Sequence, residues 1–462
     1  MRGYVSRSPW NRATVPLAGL LLAAAAACAG TVAPPGKVEP VLSGGPGEGP
    51  LAEELDVILD DPSFAQAFWG VKIQRLDTGT VLYERNADAL MMPASNMKLL
   101  TTAAALLRLP PDRRPVTLLF TLGTLDDGVL TGDLILVGGG DPSLGGRFGG
   151  PDPLRGRGDP WIPMRALADS VRSAGIRRVE GRIVAVDDLF EEEPLGYGWA
   201  WDNLVYGYAA PVNALTWNEA VVCVIVEPAA SAGEAAGVHL FPDVGAVRLD
   251  ARVSTGGPME RSSVRLSRDP GSDLLRVRGR VPEGSRPDTS EAAVPDPPRY
   301  AALGLLRALS ESGIQVMGGV VDQDELPGPL VTFQRGRYME VPAAARRIGT
   351  VEGPEIIRLV RLTNKISQNL YAETLLRLIP AMRSGMGSTS SGRGEVESAL
   401  LGLGIPPGRF VQRDGSGLSR YNYVSPEVLT RLLRGMARSR RAGAWHQSLP
   451  LMGVDGTLRG RG

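Results

Sequence analysis

The sequence predicts an α+β protein in which a helical domain is divided by a large β-rich insertion. Three observations carry this. Pro93-Ala-Ser-Asn-Met-Lys98 runs straight into Leu99–Leu109, apolar nearly all round, as a buried helix would be. From about Val116 to Thr350 most segments read as strands joined by turns. Helical patterning then returns in PEIIRLVRLTNKISQNLYAETLLRLI. The 462 residues suit two or three domains. The 50 basic residues balance the 50 acidic ones and no arginine-rich cluster stands out, so nothing points to nucleic acid. With 58 glycines and 37 prolines, the chain carries more turns than a compact helical protein would.

In chain order, Arg2, Arg7 and Arg12 precede the apolar run Val15–Ala27 and then Cys28-Ala-Gly. That is the form of a signal peptide over 1–29, which makes the protein exported, to the periplasm or cell envelope. Cleavage before Cys28 resembles bacterial lipoprotein processing and would leave a lipid anchor to the membrane. Ordinary cleavage close by is the alternative, and Ala25 stands where leucine is usual. The other cysteine, Cys223 in VVCVIV, reads as a buried strand residue, so no internal disulfide is available. Residues 30–50, rich in proline and glycine, read as a flexible tether. The first part of the helical domain is assigned to 51–115: a short helix over Leu51–Asp60, then a hairpin of GVKIQRL, Asp77-Thr-Gly79 and TVLYERN leading to Ser95. The insertion is assigned to 116–350. Its strands include VTLLFTLGTL and GVLTGDLILVGG around Asp126-Asp-Gly128, GAVRLDARV and LLRVRGRV. Its helices are few, about Trp161–Ala174 and Tyr300–Ser312, the latter ending at Gly313 before the strand IQVMGGVV. The helical domain resumes over 351–462, with VESALLGLG and a well-capped helix from Ser425-Pro-Glu.

The chemistry centres on Ser95 and Lys98, three apart and so on one face of a helix. A serine hydroxyl needs a base within hydrogen-bond reach, and a lysine can be that base if burial lowers its pKa. Near the helix N-terminus, backbone N–H groups favour developing negative charge. A stray Ser-x-x-Lys is most often a surface pair, but composition changes the weighing. The only lysines are Lys37, Lys72, Lys98 and Lys365, and arginine serves elsewhere although it cannot act as a base. A second pair, Ser367 and Asn369, falls on a loop between helical runs with Lys365 beside it. Taken alone, Ser-x-Asn is an ordinary loop pattern. His239 and His446 are the only histidines, which leaves little for a metal cluster or a Ser-His-Asp triad. No G-x-S-x-G elbow occurs at Ser95, so an α/β-hydrolase is remote.

Ser-x-x-Lys followed much later by Ser-x-Asn resembles the pattern of serine penicillin-recognising enzymes. Gly138-Gly-Gly-Asp-Pro-Ser-Leu144, GYGWAWDNLVYGYAAPVNALTWNE, Asp414-Gly-Ser-Gly-Leu-Ser-Arg420, Val424-Ser-Pro426 and Gly453-Val-Asp-Gly-Thr-Leu458 narrow the resemblance. Over about residues 50–462 the chain is similar to the D-alanyl-D-alanine carboxypeptidase/endopeptidase family: class C low-molecular-mass penicillin-binding proteins, peptidase family S13. The resemblance implies a β-lactamase/transpeptidase-like domain, helices around an antiparallel sheet, with an insertion of two subdomains. It also implies serine-dependent cleavage of D-alanyl-D-alanine ends or cross-links in peptidoglycan stem peptides, binding of β-lactams, and no cofactor or metal. Ser95 would then be the acylated nucleophile and donor of one oxyanion N–H, and Lys98 its base. Ser367 would relay a proton to the leaving amine, and Asn369 would bind the substrate amide and orient Lys98. Asp141 and the Asp414–Arg420 loop match too, but their turn geometry alone accounts for those residues. The family's third motif, Lys-Thr-Gly on an edge strand, is not in this sequence, which has no lysine after Lys365. The expectation is therefore a chain truncated before its last strands and impaired as an enzyme. Other readings are a β-lactamase or esterase of the same fold, or a non-catalytic cell-wall binding protein.

Overall fold

The helical core forms around one buried segment. A single 3₁₀ turn at Ala94–Asn96 leads into helix α2, Met97–Arg108, after the N-terminal helix α1, Pro50–Leu59. A computed structural model describes residues 49–150, 152–191, 194–334 and 339–461. The expected signal peptide, nearly all of the tether and Cys28 lie outside these residues, and Pro50, assigned to the tether, opens α1.

α2 is covered on every side, as its composition requires: Leu100, Ala103, Ala104, Ala105 and Leu106 are fully buried. Against it pack α5 (Ile356–Ile366), α6 (Asn369–Ser384) and α7 (Thr389–Leu401), joined by α8 (Pro426–Ala437) and α9 (Ala442–Ser448). α3 (Ile162–Ser173) and α4 (Pro297–Glu311) belong to a second apolar cluster with most of the longer strands. Glycine and small side chains let α6 lie close to its neighbours; a Cβ on Gly392 of α7 would stand 2.2 Å from the Leu376 carbonyl oxygen.

Between α2 and α5 the chain is mostly strand. Val116–Asp126 and Val129–Val137 make an antiparallel hairpin through Asp127-Gly128, both at positive φ as a tight two-residue turn requires. They are the centre of a seven-stranded sheet, with Ala345–Glu352 antiparallel on one side and Arg178–Val179 and Ile183–Val186 parallel on the other. The GAVRLDARV and LLRVRGRV segments pair in parallel, Arg248–Gly256 with Leu274–Pro282. Val221–Glu227 carries Cys223, which is half-buried rather than buried because that side chain alternates away from the core. Val71–Gln74 and Val81–Arg85 form a two-stranded sheet, with no third strand paired to it among the described residues.

Candidate active site

Three segments meet at one point: the turn before α2, the junction of α5 and α6, and the loop from Asp414 to Ser419. The first sets the exposure of each partner. Ser95 sits on the open 3₁₀ turn and is exposed, whereas Lys98, one turn on, is 2 % exposed. The turn is held in an unusual shape, with Ala94 at φ 46°, in the left-handed region. Gly417 lies directly on it: a Cβ there would come within 1.7 Å of the Ala94 carbonyl oxygen.

The junction of α5 and α6 is equally sharp. Ser367 ends α5 at φ 59°, and Gln368 caps α6 by accepting from the Leu370 N–H, so Asn369 opens the next helix. This folds Ser367 and Asn369 back over Ser95. Ser367 Oγ donates to Ser95 Oγ at 2.9 Å, and Lys98 Nζ lies 3.0 Å from Ser95 Oγ. Lys98 Nζ also donates to Asn369 Oδ1 at 2.6 Å and to the Ser416 carbonyl at 2.8 Å. Asn369 Nδ2 is in turn held by the Tyr208 carbonyl at 2.8 Å.

Those contacts decide what Lys98 can do. As an ammonium it has three N–H bonds for three acceptors. As a neutral amine it has two, which Asn369 Oδ1 and the Ser416 carbonyl take, and the remaining lone pair faces Ser95 Oγ. Burial pushes the Lys98 amine down from its ordinary value to about 8, against the carboxylates of Glu373 and Asp414, which oppose the shift. The neutral form is thus within reach near neutrality, and arginine could not supply it.

The neighbouring residues fall into two groups. Lys365, which its scarcity marked, is not part of the site: it is buried in an ion pair with Asp455 at 2.6 Å, anchoring the 450s segment to α5. Asp141 accepts from the Ser143 N–H and Oγ, and burial raises its carboxyl to about 6. Asp414 accepts from the Gly417 and Ser419 N–H groups, Asn422 Nδ2 and Trp199 Nε1. Both carboxylates shape backbone, as turn residues do. Sequence reasoning missed Ser416 and Tyr208 because each contributes a backbone carbonyl, which no side-chain pattern reveals. It also missed Glu219, at the end of the segment that starts GYGWAWDN. Buried at φ 58°, between two further left-handed residues, Glu219 accepts from Tyr371 Oη at 2.9 Å, Arg157 Nε at 2.9 Å and Gln368 Nε2 at 3.2 Å, and pairs with Arg147. Burial pushes this carboxyl up, but the two guanidiniums outweigh it and hold it below its ordinary value. Gln368 stands between Ser367 and Asn369, so this hub fixes the junction that carries both.

Fold and geometry together define a class: an α+β protein with an exposed serine hydrogen-bonded to a buried lysine and to a second serine. The chain belongs to the D-Ala-D-Ala carboxypeptidase 3 (S13) family, whose profile matches residues 51–462. It is 32 % identical over 422 residues to a D-alanyl-D-alanine carboxypeptidase of Actinomadura sp. (strain R39), covering 89 % of this chain and 73 % of that one. It is 25 % identical over 401 residues to the D-alanyl-D-alanine carboxypeptidase DacB of Haemophilus influenzae, covering 85 % and 76 %. The crystal structure of penicillin binding protein 4 (dacB) from Haemophilus influenzae superposes with a TM-score of 0.69 at 24 % identity, over 85 % of this chain and 80 % of that one. The same protein complexed with a β-lactam gives 0.64 at 23 % identity. The α+β fold expected from the sequence is the fold observed.

Proposed function

We propose that this chain cleaves D-alanyl-D-alanine ends of peptidoglycan stem peptides through an acyl-enzyme on Ser95. Neutral Lys98 takes the Ser95 proton as Oγ attacks the carbonyl carbon of the penultimate D-alanine. The backbone N–H of Ser95 donates to the oxygen that becomes negative. The proton then passes through Ser367 to the leaving D-alanine nitrogen as the C–N bond breaks, leaving an ester on Ser95. Water hydrolyses that ester and returns the proton to Ser95. Asn369 holds Lys98 through its Oδ1 and stands at the mouth where the substrate amide would lie. The single observation that carries this reading is the set of partners on Lys98: two fixed acceptors that leave the lone pair of the neutral amine aimed at Ser95 Oγ.

The substrate lies outside the cytoplasm, which agrees with the signal-like segment over 1–29 and the lipoprotein-like Cys28. β-Lactams, which resemble the D-alanyl-D-alanine terminus, would acylate the same serine. The division into a helical domain (51–115 and 351–462) and an insertion (116–350) is supported by two of the apolar clusters, one around α2, α5 and α6, which also takes in Phe190, Val212 and Ala214 of the insertion, the other around α3, α4 and most of the longer strands.

A fluorescent penicillin, at saturating concentration and with long incubation, should label the peptide containing Ser95. Equal labelling of Ser95→Ala would place the nucleophile elsewhere. A non-catalytic wall-binding role on the same fold is the alternative reading. It would appear as retention on purified peptidoglycan with no label on Ser95.

A further inference from the structure

Beneath the site lies a carboxylate to which the acyl-transfer steps give no part. Glu373 stands on α6 one turn beyond Asn369, so both project from the same side of the helix. It is fully buried. Its Oε1 accepts from the backbone N–H groups of Gly415 at 2.9 Å and Ser416 at 2.8 Å. The next N–H, that of Gly417, donates to Asp414 Oδ1 at 2.8 Å. The Ser416 carbonyl, which receives Lys98 Nζ, therefore belongs to a stretch of backbone tied on both sides. Glu373 Oε2 lies 3.5 Å from Arg377 Nη1 and, among the described residues, accepts no hydrogen bond.

We propose that Glu373 is a positioning residue for the lysine base: it clamps the Gly415–Ser416 backbone, and so fixes the carbonyl on which Lys98 Nζ rests, and it holds a carboxylate beneath the site. This rests on the reading of Lys98 as the base. The charged groups that face Lys98 are Glu373 from α6 and Asp414 from the loop, and both work against burial. Glu373 itself is pushed up by burial and by Asp414, with Arg377 opposing, to about 7. A fixed carbonyl directs one N–H of the amine, and a nearby anion makes the lone pair a stronger acceptor for the Ser95 proton.

The experiment follows the rate at which fluorescent penicillin labels Ser95 from about pH 5.5 to about pH 9.5, a span that brackets the rising limb expected of a base titrating near 8. Glu373→Gln keeps an oxygen for the two N–H groups and removes the charge. The limb should move to lower pH by roughly half a unit to one unit, because an ammonium without its neighbouring anion gives up its proton more easily. Glu373→Asp keeps the charge but falls short of the loop. It should lower the rate at every pH by about tenfold, equivalent to some 1.4 kcal/mol, and leave the midpoint in place. Melting temperatures separate folding losses from both effects, and if Glu373→Gln does not fold, Glu373→Asp decides alone: an unchanged rate overturns the clamp. A wild-type chain that takes no label, or labels without a rising limb, overturns the lysine-base reading and this inference with it. A wild-type limb that Glu373→Gln leaves where it was overturns the role of Glu373 alone.

Discussion

At the scale of single residues, the site turns on a lysine whose surroundings make it a base. The sign of its pH dependence follows from the direction of its shift. Burial lowers the Lys98 pKa to about 8, so the neutral amine is scarce at pH 6 and dominant at pH 9. Acylation of Ser95 should therefore rise with pH through a midpoint near 8, read as labelling rate against pH. A flat profile would show that Lys98 does not shed its proton in the rate-limiting step. Lys98→Arg keeps the charge and cannot shed a proton, so acylation should fall by about 10²–10⁴, the usual worth of a general base, in a protein that still melts cooperatively. Near-normal labelling by that variant would reduce Lys98 to a fixed cation.

At the scale of elements, the nucleophile is placed by a close contact of backbones. The loop after Asp414 lies against the turn before α2, and Gly417 is there because no side chain fits: its φ is 86° and a Cβ would meet the Ala94 carbonyl. Gly417→Ala should cost about 2–4 kcal/mol in denaturant unfolding, combining left-handed strain with displacement of the turn. It should also slow acylation, since the same movement shifts Ser95 and the Ser416 carbonyl. Unfolding within about 0.5 kcal/mol of wild type, the range of an ordinary surface change, would show that the turn yields easily. Lys365 sits two residues from Ser367, yet its amine points the other way, to Asp455. Lys365→Met should lower stability by about 1–3 kcal/mol, as expected when one member of a largely buried pair is left alone. The labelling rate of Ser95 per folded molecule should change less than about threefold, below about 0.7 kcal/mol.

At the scale of the whole molecule, helices and strand-rich segments are joined through a charged hub. Glu219 stands within the strand-rich insertion, directly before the strand Val221–Glu227, and its partners include Tyr371 on α6 and Gln368 at the α5–α6 junction, as well as Arg147 and Arg157. Replacing it with Leu would leave the buried Arg147 guanidinium without its carboxylate and Arg157 with Glu291 alone. The expected loss is about 3–5 kcal/mol, seen in thermal or denaturant unfolding. A loss of less than about 1 kcal/mol, the worth of an exposed ion pair, would mean that solvent already shares those charges.

Much of this was legible in the chain. The apolar run after Lys98 determined a buried helix, since it offers no polar face to water. The period-two segments around Asp126-Asp-Gly128 determined a hairpin, because only that turn chemistry reverses two strands so tightly. The scarcity of lysine picked out Lys98, and the resemblance carried by the Ser95 and Ser367 motifs together with Gly138–Leu144, Asp414–Arg420 and Gly453–Leu458 implied the family, the fold and the four residues Ser95, Lys98, Ser367 and Asn369, which now lie in one chain of hydrogen bonds. The same scarcity misled at Lys365, because composition records that a lysine is present and not where its amine points. The parallel pairing of Arg248–Gly256 with Leu274–Pro282 was likewise hidden, since alternation fixes which face a residue takes but not which strand lies beside it. Only the tertiary structure could supply the Ser416 and Tyr208 carbonyls, the left-handed turns at Ala94 and Ser367, and the carboxylates of Glu219 and Glu373. These act through backbone position and burial, and burial depends on everything packed around a residue rather than on its neighbours in sequence.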